Sequence, residues 1–61
     1  MTARYEAQKM IALFEVRVTS AKAALDRAWE SGNANRYMRC ENRLDEAQDC
    51  LAAWKNVLDS L

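Results

Sequence analysis

The chain has no histidine and no proline, one glycine, two cysteines, no net charge and no long apolar run. Each shortage excludes something. Structural zinc needs a cluster of thiolates and imidazoles, and Cys40 and Cys50 without a single histidine do not make one. Nucleophilic catalysis by either thiol needs an adjacent base, and there is no imidazole to serve. No catalytic, cofactor-binding or metal-binding residue is therefore expected, and the chain reads as non-enzymatic.

The cysteines stand ten positions apart. On one helix that separates them by roughly 15 Å, far beyond disulfide reach. Two reduced thiols suit a cytosolic setting, because disulfide frameworks belong to oxidising compartments. The opening MTARYEAQKM lacks the apolar run of a secretory signal, and no segment approaches the roughly 20 apolar residues of a membrane span. The expected location is the cytoplasm, in a bacterial host once the resemblance below is included, with no membrane partner. Nine cations balance nine anions, so general attraction to nucleic acid is not expected from charge alone.

At 61 residues the chain forms one domain, 1-61, whose small size limits how much surface it can hide. With disulfides and metal excluded, association with another chain is the remaining stabilising device.

What is present is helical spacing. Gly32, almost at the midpoint, marks a helix C-terminus, Asn33 can cap a second helix, and Thr2 can cap the first. The absence of proline leaves both halves uninterrupted. The predicted fold is all-α, an antiparallel two-helix hairpin of about 3-31 and 34-60.

In the first half Arg4, Ala7, Ile11, Phe14, Val18, Ala21, Leu25 and Ala28 recur at steps of three and four. In the second half Tyr37, Cys40, Leu44, Ala47, Leu51, Trp54, Leu58 and Leu61 do the same. Both are heptad a/d seams. Folding back at Gly32 pairs positions whose numbers sum to 65, such as Leu25 with Cys40, Ala21 with Leu44 and Val18 with Ala47. Large residues meet small ones, which lets facing layers interdigitate.

The two flanks of the seam differ. Gln8, Glu15 and Lys22 are expected opposite Lys55, Gln48 and Glu41 on a polar e side. On the g side, Met10, Arg17 and Ala24 approach Val57, Cys50 and Arg43, with Leu13 and Ala53 just beyond. A two-helix hairpin is a single layer and cannot bury both the seam and an apolar flank. The expected cover is a second copy, giving an antiparallel homodimer and a four-helix bundle with Met10, Leu13, Arg17, Ala24, Cys50, Ala53 and Val57 at the interface. A helix from a different protein could use the same groove. Leu13 and Val16, off the seam, form an apolar pair that either partner could cover.

The stretch ANRYMRCENR, residues 34–43, carries Arg36, Arg39 and Arg43 as a stripe beside the seam. Cations in the first turns of a helix oppose its macrodipole, so local helix energetics do not explain them. Phosphate contact, aided by Arg27, is one reading and makes the stripe a candidate nucleic-acid contact. Ion pairing with Glu46, Glu30 or Asp26 is the other. Cys40 reads as a small core hydrophobe and Trp54 and Phe14 as core. Trp29 reads as a shield over the turn against Ala34, or as a stacking platform for a ligand.

The hairpin with its central Gly32 and two seams resembles the Rop-type plasmid regulators, dimers of helical hairpins that bind RNA loops. No run of residues matches that family's RNA-contacting face, so no functional residue carries over. The whole chain, from MTARYEAQKMIALFEV to AWKNVLDSL, also resembles small early proteins of lambdoid bacteriophages from the interval between the exonuclease and excisionase genes. That resemblance implies a non-enzymatic accessory factor acting on host or phage proteins. Homodimeric protein-protein interaction is thus the first expectation, and nucleic-acid regulation through the arginine stripe the second.

Overall fold

The computed structural model describes residues 2–61. Helix α1 spans Ala3–Ser31 and helix α2 spans Ala34–Asp59, with no strand among the described residues. The second helix stops one residue short of the predicted 60, because Ser60 takes the C-cap position.

Each boundary has a local cause. Thr2 is extended, and its Oγ1 accepts the Tyr5 amide at 3.3 Å, satisfying one of the free donors of the first turn. Helix α1 ends where Gly32 enters the left-handed region at φ 70, its amide donating back to the carbonyls of Ala28 and Trp29. Asn33 returns to extended backbone and caps α2, its Oδ1 accepting the Arg36 amide at 3.0 Å. The turn is therefore Gly32 and Asn33 alone, so the helices must run antiparallel side by side.

The seam governs burial. Ala7, Ala28 and Ala47 are buried and the other interior a/d residues from Ile11 to Leu58 are half-buried. Outside the seam only Met10 and Ala24, both g positions, are partly covered. The two outermost seam positions depart from the prediction. Arg4 and Leu61 are exposed: Leu61 lies beyond the end of α2, and its counterpart across the seam is the charged Arg4 in the first turn of α1.

The buried residues are alanines, and no large side chain is fully enclosed among the described residues. Two cylinders meet along a line, so large side chains in the seam keep one edge open, and only small residues at the line itself vanish from solvent. The molecule is a rod of 46 × 14 × 12 Å with a radius of gyration of 14.0 Å. A compact domain of this length would have a radius near 10.5 Å. Its accessible surface is 4730 Å², against about 4,000 Å² for a compact monomer of the same mass.

Candidate functional site

The g flank carries an open groove of about 640 Å³. Arg17 and Ala24 from α1 and Arg43 and Cys50 from α2 line it together, as the antiparallel pairing implies, over a floor of small seam residues, Ala21, Cys40 and Ala47. Small side chains at Ala21, Cys40 and Ala47 leave this room, and Phe14 also lines it. Met10, Leu13, Ala53 and Val57 lie outside it, toward the open end of the hairpin. Leu13 is 40% exposed and Val57 42%, Met10 is half-buried and Ala53 exposed. The structure thus splits the predicted interface into a hollow near the middle and a cluster of larger apolar side chains beyond it.

Arg17 is not free. Its guanidinium carbon sits 5.1 Å from the centre of the Phe14 ring, a cation-π contact one turn back along α1. The sequence reading missed this contact, although the three-residue spacing on one helix permits it.

Arg36, Arg39 and Arg43 are all exposed. Arg43 lines the groove and the other two do not. Side-chain hydrogen bonds among the described residues all join backbone three or four positions away: Thr2 and Asn33 accept from amides, and Thr19, Ser31 and Ser60 donate to carbonyls. None engages a guanidinium, so the side-chain pairing with Glu46, Glu30 or Asp26 that composition allowed is not among these bonds.

Zero net charge conceals a sorting by flank, which the sequence reading did not draw although heptad position alone reveals it. At g and c positions the cations are Arg17, Arg27, Arg36, Arg39 and Arg43, with Glu6 and Glu46 the only acids among the described residues. At e and b positions the acids are Glu15, Asp26, Glu41, Asp45 and Asp59, and the cations Lys22 and Lys55. Every one of these side chains is exposed. One flank is arginine-rich and basic, and the other is acidic.

The turn end of the acidic flank holds a second feature. Trp29 does not fold down as a closed lid over the turn. It stacks on Tyr37 at 5.5 Å between ring centres, tilted by 56°, and stays 72% exposed. Met38, which the sequence reading passed over, is 60% exposed beside it. With Ala28, Gly32 and Ala34 these side chains line a shallow, almost wholly apolar depression of about 330 Å³.

Cys40 is half-buried in the seam and Cys50 exposed on the flank, both as free thiols. No group of three or more metal-ligating side chains comes together among the described residues. Among the described residues no helix is long and apolar enough to cross a membrane. Comparison of the chain with protein-family models, curated proteins and solved structures gives no match.

Proposed function

We propose that this protein is a non-enzymatic interaction module that pairs with a second copy through its g flank and acts by occupying the surface of another protein. The observation that carries the reading is its excess of surface: the rod exposes about 700 Å² more than a compact monomer of its mass, most naturally covered by another chain. Two copies hiding that excess would bury about 1,400 Å², within the range of stable specific interfaces. Leu13 and Val57, 40% and 42% exposed, lie beside a hollow floored by small residues, where such a contact would use them.

The charge pattern favours an antiparallel pairing with the two turns at opposite ends. Arg27, Arg36, Arg39 and Arg43 crowd the turn half of the flank, and stacking turn on turn would face like charge with like. Turned end for end, the arginine stems of one copy lie over the apolar open half of the other, with the guanidinium heads at the rim. Sedimentation equilibrium at micromolar concentration tests this, with a mass near twice the chain's 7.0 kDa expected. A compact, cooperatively melting species at 7.0 kDa overturns it.

A second reading, a nucleic-acid regulator, draws on the exposed stripe Arg36, Arg39 and Arg43. Phosphate-driven binding releases counterions and collapses with salt. Retention on an RNA or DNA column that vanishes between low and moderate salt, and that disappears in Arg39→Gln/Arg43→Gln, supports it. No retention at low salt discards it. Following the resemblance to early proteins of lambdoid phages, the interaction module would serve a phage as an accessory factor in its host.

A further inference from the structure

We infer that the Trp29–Tyr37–Met38 patch at the turn end is a docking site for a basic amphipathic segment of another protein. This extends the interaction reading to a surface that pairing through the g flank leaves open.

Three observations converge on it. Trp29 and Met38 are 72% and 60% exposed, and both line one apolar depression. The Tyr37 ring packs against Trp29 at 5.5 Å, which restricts the indole and lessens the ordering cost of a partner's contact. Gly32, whose left-handed backbone the turn requires, puts no side chain into the depression, and a Cβ there would meet nothing within 4 Å. Large amphipathic side chains of this kind dominate binding energy at interfaces when a partner covers them.

Charge selects the occupant. The acids Asp26, Glu41 and Asp45 lie along the same flank, with Lys22 the nearest cation among them in heptad position, and Glu30 adjoins Trp29. On this flank phosphate is disfavoured by the excess of acids. The same patch of a second copy brings the same acids, and like charges facing each other disfavour that pairing. Docking onto the arginine flank of another copy would be head-to-tail, producing rings or filaments heavier than a dimer. A segment with one or two large apolar side chains flanked by lysine or arginine satisfies both the depression and its acidic surround.

The test uses the full chain and two dye-labelled, amidated helical peptides, one with leucines on one face and lysines elsewhere, the other with each lysine replaced by glutamate. Fluorescence anisotropy should show the lysine peptide binding and the glutamate peptide not. Trp29→Ala, and separately Asp26→Asn/Glu41→Gln, should each weaken binding at least tenfold, with helical content by circular dichroism unchanged. Equal binding by the glutamate peptide, no binding of the lysine peptide, or binding indifferent to Trp29→Ala each overturns the inference. So does growth of species heavier than a dimer, which assigns the patch to another copy's arginines. Sedimentation of the same samples keeps the two proposals apart. A dimer that ignores the lysine peptide removes only the docking site, and a monomer that binds it at Trp29 removes only the dimer.

Discussion

Gly32 sits at φ 70 and ψ 18 with open space around it, so a methyl group added there collides with nothing. Any cost of substitution is therefore conformational. Left-handed backbone costs an ordinary L-residue about 1–2 kcal/mol, and asparagine tolerates it better than alanine. Gly32→Ala should lower the melting temperature by about 5–10 °C and Gly32→Asn by distinctly less. Thermal melts followed by circular dichroism decide it. Equal losses for the two variants would show that the left-handed turn is not what the glycine supplies. The same scale explains the buried alanines: Ala7, Ala28 and Ala47 occupy the line of closest approach between the helices, where a larger side chain would force them apart.

Helix α2 begins under adverse electrostatics. Its first turn holds no acid, Arg36 lies in it, and Arg39 and Arg43 follow. The Asn33 cap is thus the one side chain answering the free amides there. Asn33→Ala should cost about 0.5–2 kcal/mol. Asn33→Asp should stabilise by about 0.3–1 kcal/mol at neutral pH and low salt, because it keeps the cap and adds a negative charge beside the helix N-terminus. Urea titrations of the two variants check both signs, and a destabilised aspartate variant would contradict the account of the cap. The arginines, which the helix itself does not require, remain available to a partner.

For the whole molecule, the decisive property is shape. A pair of cylinders cannot enclose a core, so apolar side chains beside the seam stay open in an isolated hairpin. Leu13 and Val57 are such residues, and within one chain they stay 40% and 42% exposed. Leu13→Gln/Val57→Gln should accordingly shift the sedimentation mass from dimer toward monomer, with helical content of the remaining monomer largely retained at low temperature. A double variant that stays dimeric with undiminished affinity would move the interface elsewhere.

Much of this was legible in the sequence because its causes are local or periodic. Gly32, Asn33 and Thr2 act on backbone within one turn, and seam spacing repeats with the helix itself, so both helices, their caps and the half-buried positions follow without coordinates. The ends of the seam did not follow: periodicity continues through Leu61, but α2 has already ended at Asp59, and the position across from it is Arg4. The cation-π contact of Arg17 with Phe14 and the exposed stack of Trp29 on Tyr37 depend on which of several allowed side-chain orientations wins, and spacing does not choose among them. The charge sorting lay in the heptad positions all along, masked by a net charge of zero.

What the amino-acid order determined by itself is therefore the hairpin: where each helix starts, where it stops, and which stripe faces inward. Only the tertiary structure decided that the hollow lies mid-groove and not under Leu13 and Val57, and that Trp29 stands open beside Met38. The physical reason is that helix periodicity is written one residue at a time, whereas the depth of a groove and the exposure of a ring are set by what the opposite helix happens to place across from them.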